Sequence, residues 1–177
     1  MTNPKDVDKM VKKTIKNFKR IDILINNAGR GYDSPIENTN IQTMRKIFQL
    51  DVIGPLIAMK KSNTYYEKAK KWLHFKCQFR YGIDASSQYG DIFSFKTCAF
   101  QYQFNCKRRI EKNGIGVSVI YPYITLTNFE KNTIVEKGTK WESDGRSIRP
   151  PDSAEFVAKK YLKESKKETR KFTPTIG

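Results

Sequence analysis

The tightest constraint on what this chain can fold into is the run Ile21-Asp22-Ile23-Leu24-Ile25, which stops abruptly at Asn26-Asn27-Ala28-Gly29. An apolar run too short for a core helix, ending in two amides, a small residue and a glycine, describes a strand that delivers polar groups to a tight turn. Its nearly continuous apolar character predicts a parallel strand covered on both faces. In open α/β sheets ligands bind at the carboxyl ends of such strands.

The flanking patterns agree with an α/β reading. From Asp6 to Arg20, Val7, Met10, Val11, Ile15 and Phe18 recur at helical spacing, with lysines between them. A second helical pattern runs from Ile41 to Lys60 through Met44, Ile47, Phe48, Leu50 and Ile53, and Gly54-Pro55 is expected to interrupt it. Phe75, Cys77, Phe79, Tyr81 and Ile83 alternate with polar residues, which predicts a half-buried strand over Phe79–Ala85, either at a sheet edge or in a segment that has drifted from what the fold wants. Gly114 closes a helical stretch and the β-branched run Val117–Tyr121 follows. Asp152 to Lys167 reads as a helix, with Asp152 as its cap, Glu155 completing a capping box, and Ala154, Phe156, Val157, Tyr161 and Leu162 on its apolar face.

Asp22-x-x-x-Asn26-Asn27-Ala28-Gly29 resembles the short-chain dehydrogenase/reductase family, in which this motif follows the fourth strand of a nicotinamide-binding Rossmann sheet. Ala85-Ser86-Ser87-Gln88-Tyr89-Gly90 resembles that family's Ser-Ser-x-x-Gly, and Tyr121-Pro122-Tyr123-Ile124-Thr125-Leu126-Thr127 its Pro-Gly-x-x-x-Thr. Asp51-Val52-Ile53-Gly54 matches its Asn-x-x-Gly with a carboxylate in place of the amide. The resemblance implies a single domain over residues 1–177, a partial, doubly wound, Rossmann-like parallel sheet lacking the first three strands. It reads as an N-terminally truncated, degenerate relative.

The same resemblance implies hydride transfer between NAD or NADP and a small alcohol or carbonyl. It places Asn26, Asn27, Ala28, Gly29, Pro122 and Thr127 at the cofactor, and Ser87 and Asp51 in the catalytic set. A phenol is a poor base at neutral pH unless a cation stabilises the phenolate, so the family sets Tyr and Lys one helical turn apart. Here Phe100 and Phe104 hold those positions. The nearest substitutes, Tyr102 and Lys107, are five residues apart and would diverge by roughly 140° on a helix. Tyr123 replaces the loop glycine, and no glycine-rich phosphate turn precedes Ile21. The expected outcome is an oxidoreductase by descent whose turnover is impaired or absent.

Composition leaves two alternatives open. The net charge is +16, from 34 Lys and Arg against 18 Asp and Glu. A basic protein that binds nucleic acid is therefore conceivable on charge alone, but the lysines read as scattered over solvated helix faces and no nucleic-acid motif accompanies them. The other alternative is a non-catalytic remnant that self-associates or takes a partner strand at its open sheet edge. No apolar run is long enough to span a bilayer, and the N-terminus has no apolar signal region, so a cytoplasmic location without a membrane partner is expected. Cys77, Cys98 and Cys106 form no disulfide framework, and with His74 they lack a zinc spacing, so no metal is expected.

Overall fold

A computed structural model of the chain describes residues 1–69, 74–78, 116–120, 122–123, 125–139 and 150–171. Helix α1 (Pro4–Phe18) begins where local chemistry sets it. The Asn3 side-chain oxygen accepts the Lys5 amide at 2.9 Å, and Pro4 occupies the start of the helix, where no N–H is needed. It ends at Lys19, which takes a left-handed φ of 61° and donates its N–H to the Ile15 carbonyl at 2.8 Å. Of the expected apolar face, Val7 and Val11 are buried while Met10 and Phe18 are exposed. Lys12 and Lys61 approach the Asp8 carboxylate at 2.7 and 3.3 Å, and the Lys12 hydrogen bond above all holds that carboxyl below its usual range.

Strand β1 (Ile23–Asn26) follows. Leu24 joins Val7 of α1 and Ala58 and Met59 of the next long helix in a core, with Met1, Ile21, Leu56 and Ile57 packed around it. Each large apolar side chain buried there contributes on the order of 1.5–3 kcal/mol. The other face is open: Ile25 is 43% exposed. Cover on both faces, expected from the apolar run, is therefore corrected to cover on one.

The second helical pattern continues through Gly54-Pro55. It forms α2 (Ile41–Phe48), one π-helical turn (Gln49–Ile53) and α3 (Gly54–Ala69). A proline ring collides with the carbonyl four residues back and offers no N–H. Widening the preceding turn accommodates Pro55 without ending the helix, and the Gly54 N–H reaches back to the Gln49 carbonyl. Gly54 is needed for a second reason, since a Cβ there would lie 2.9 Å from the Met1 carbonyl oxygen.

Strands β3 (His74–Gln78) and β4 (Gly116–Ile120) complete a parallel sheet in the order β1–β3–β4, side by side as expected for right-handed crossovers; β2 (Tyr32–Asp33) lies outside it. The middle strand departs from expectation in place and role. It occupies 74–78, whereas the predicted Phe79–Ala85 lies outside the described residues, and it is central. In register, Phe75 lies opposite Leu24 and Lys76 opposite Ile25. Pairing on both sides makes it a central strand, so the alternation does not mark an edge. Among the described residues, no strand pairs on the other side of β1.

The later chain adds β5 (Thr125–Leu126), β6 (Ile134–Val135), β7 (Asp152–Ser153) and α4 (Ala154–Lys171), with β5 parallel to β7. Asp152 is buried in the β5–β7 bridge and is not the cap; the Ser153 hydroxyl takes that role, accepting the Phe156 N–H at 3.1 Å. On α4, Val157, Tyr161 and Ser165 form the buried stripe, while Ala154, Phe156 and Leu162 are exposed. Lys160 sits 4.5 Å over the Phe156 ring, which explains how an aromatic is tolerated at the surface.

Ser62 of α3 is fully buried, and its hydroxyl makes no hydrogen bond. Ser62→Ala removes that uncompensated group and favours the helix, so a gain of about 1 kcal/mol is expected in urea unfolding. A loss of stability would show that the hydroxyl is bonded in solution.

Candidate functional site at the carboxyl end of the sheet

Because all three strands are parallel, Asn26, Gln78 and Ile120 end at the same side of the sheet. The turn Asn26–Gly29 opens there. Asn26 is turned inward and only 6% exposed, and neither its side-chain oxygen nor its nitrogen has a hydrogen-bond partner. Asn27 and Ala28 face outward, and Gly29 is half-buried. The first amide thus belongs to the floor of the turn and the second to its mouth.

Asp51 arrives from the π turn. It is 7% exposed, and its Oδ1 accepts the Arg30 N–H at 3.1 Å. A Cβ on Gly29 would touch the same carboxylate at 3.4–3.5 Å. A charged acceptor on a backbone N–H is worth about 1.5–3 kcal/mol, so this contact ties the turn after β1 to the helical run that follows it. π turns recur at functional positions, and here the turn sets a buried carboxylate beside the motif.

A third segment closes over the turn. Residues 127–139 form a strap whose β6 pairs in parallel with β2. The Gly31 and Asp33 carbonyls each accept a strap N–H at 3.0 Å, from Ile134 and Glu136. Arg30 Nε donates to the Asn132 carbonyl at 2.5 Å, and Asn38 Nδ2 to the Lys137 carbonyl at 3.0 Å. Tyr32, almost fully buried, accepts the Asn40 N–H at 2.7 Å and donates its own hydroxyl to Glu136 Oε1 at 3.2 Å. Gly31 is indispensable here because any Cβ would stand 2.3 Å from the Thr133 hydroxyl oxygen.

The structure therefore gathers Asn26, Asn27, Ala28, Gly29 and Asp51 into one cluster. It sets Thr127 at the base of the strap latched to that cluster. The Thr127 hydroxyl oxygen accepts the Phe129 N–H at 3.2 Å and the residue is exposed. Pro122 is buried just beyond β4. Ser87, Tyr102 and Lys107 lie outside the described residues. The strap, Tyr32, Arg30 and Glu136 escaped sequence reasoning; two-residue strands leave no periodic signal, and only Gly31 hinted at a close approach.

Gly31→Ala forces the strap away and is expected to destabilise by about 1–3 kcal/mol. Thr133→Ala on the same background relieves the closest contact and should restore part of the loss. Denaturant midpoints of both variants check this; equal stability of Gly31→Ala and the parent would contradict the packing.

Comparison with known proteins bears on the family and the fold. The short chain dehydrogenase family model matches residues 1–71, which hold β1, the turn, the π turn and α3. The chain is 26% identical over 159 residues to mouse dehydrogenase/reductase SDR family member 7B, covering 89% of this chain and 49% of that protein. It is 40% identical over 60 residues to an uncharacterized oxidoreductase of Schizosaccharomyces pombe, covering 34% of this chain and 25% of that one. The chain thus spans about half the length of the first of these relatives. In structure it resembles an alcohol dehydrogenase of Thermococcus sibiricus complexed with 5-hydroxy-NADP, at 16% identity and a TM-score of 0.70, over 93% of this chain and 65% of that one. A short-chain dehydrogenase of Streptomyces avermitilis gives a TM-score of 0.66 at 18% identity, over 78% and 52%. Its motif, its α/β parallel sheet and these likenesses together support a relationship of the chain to the short-chain dehydrogenase/reductase family.

Proposed function

We propose that the chain binds a nicotinamide cofactor weakly at the carboxyl end of its sheet and descends from an NAD(P)-dependent oxidoreductase acting on an alcohol or carbonyl. The observation that carries this reading is the meeting of the Asn26–Gly29 turn, buried Asp51 and the strap from Thr127 at one mouth. The residues fit the sugar and amide side of a dinucleotide. Exposed Asn27 offers a donor and an acceptor, Ala28 and Gly29 leave the backbone approachable, and Thr127 adds a hydroxyl. Among the described residues, no glycine-rich turn at a helix start meets the pyrophosphate.

When bound, the cofactor would supply or take the hydride. By the resemblance, Ser87 orients the substrate oxygen and Tyr102 is the available phenol, with Lys107 as the available cation. Phe100 and Phe104 stand where a phenol and an ammonium are required, and neither side chain can move a proton. Impaired turnover follows. NADP-complexed relatives of this fold make NADPH the first cofactor to try.

Titrating the protein with NADPH and with NADH should give a saturable change in nicotinamide fluorescence. No change at millimolar cofactor would overturn the reading and favour a non-catalytic remnant that associates through the outer edge of β1. Restoring the spacing with Phe100→Tyr and Phe104→Lys together should raise NADPH-dependent reduction of a panel of small ketones by at least about tenfold, since general acid–base catalysis contributes roughly 10²–10⁴. An unchanged rate, with cofactor still bound, would place the defect elsewhere.

A further inference from the structure

The lysines that looked scattered along the N-terminal segment are not scattered on the folded surface. On α1, Lys5, Lys9, Lys12 and Lys16 are all exposed. At 100° per residue they fall within about 60° of arc, and at 1.5 Å per residue they run for about 16 Å along the helix. Val7 and Val11, on the opposite side, are the buried contacts. Lys13 flanks the row on one side, also exposed. On the other side Asp8 is occupied by Lys12 and Lys61. Among the described residues, Lys5, Lys9 and Lys16 make no ion pair. Asp6 is the other acidic residue of the helix and lies at the edge of the row, about 60° beyond Lys9.

We propose that this face of α1 docks the protein onto an anionic phospholipid surface. Four to eight clustered lysines on a helix suffice for attraction to acidic lipid headgroups. A straight row on a helix fixed by its opposite side presents them all at once to a flat surface. The composition of the face favours lipid over nucleic acid. It carries no aromatic side chain on which a base could stack and no Arg or Gln to read base edges. No described helix is long and apolar enough to cross a membrane.

The test is co-sedimentation of the whole chain with vesicles of phosphatidylcholine alone and of phosphatidylcholine with one third phosphatidylserine, in low and moderate salt. Binding is expected only to the serine-lipid vesicles and should weaken as salt rises. Lys5→Gln, Lys9→Gln and Lys16→Gln together should reduce it on the order of a hundredfold, since each lysine near the surface contributes about a fivefold step. A charge-matched control, Lys159→Gln, Lys160→Gln and Lys163→Gln on α4, should retain binding, and thermal melts of both triples should match the parent. Equal loss in the two triples would reduce the effect to net charge and overturn the proposal. So would an absence of serine-lipid binding, or tighter, α1-dependent binding to poly(U) RNA than to vesicles.

Discussion

The contact on which the candidate site depends is the Asp51 carboxylate seated on the Arg30 amide. An acid this buried needs compensation from the groups around it. The backbone N–H of the turn after β1 supplies part of that, and in return the turn is held in one position. The carboxylate reaches it because the helix widens over Gln49–Ile53, and the helix widens because Pro55 cannot be accommodated in a regular α-turn. A proline expected to break a helix thus goes with a turn that aims a buried carboxylate at the loop after β1.

The strap is the second tier, and it is built against chain entropy. The Arg30–Asn132 and Tyr32–Glu136 bonds join residues more than a hundred positions apart, and such closures are stabilised only once the sheet beneath has formed. The strap therefore rests on contacts dense enough to be all-or-none: paired amides, a fully buried tyrosine and a glycine with no room for a methyl group. Its position over the Asn26–Gly29 turn depends on Asp51 holding that turn, which orders the two tiers.

What the sequence made legible was local. The apolar spacing of α1 could be read, although its start at Pro4, capped by Asn3, lies two residues before the expected Asp6; β1 could be read because its apolar run and its amides are contiguous. The parallel order of the sheet followed from crossover handedness. What stayed hidden required partners distant in the chain. Pairing with two neighbours far away in the chain made the middle strand central, and a β-bridge drew Asp152 into pairing and left capping to Ser153. Two-residue strands hid the strap. The lysines of α1 repeated at helical spacing all along, but only a packed opposite face turns that spacing into a surface feature.

Replacing the family's amide by a carboxylate at Asp51 separates bracing from chemistry. Toward the Arg30 N–H, an amide oxygen and a carboxylate oxygen do the same work, and the carboxylate does it more strongly. The turn is therefore kept. What the swap removes is the donor half of an amide, and what it adds is a negative charge at the mouth where a phosphate-bearing cofactor would arrive. The Arg30 side chain is held beside that mouth by Asn132 and offsets part of the field. The geometry of the Asn26–Gly29 turn is thus held by contacts that act through the backbone, and these are indifferent to whether the acceptor at position 51 is an amide or a carboxylate.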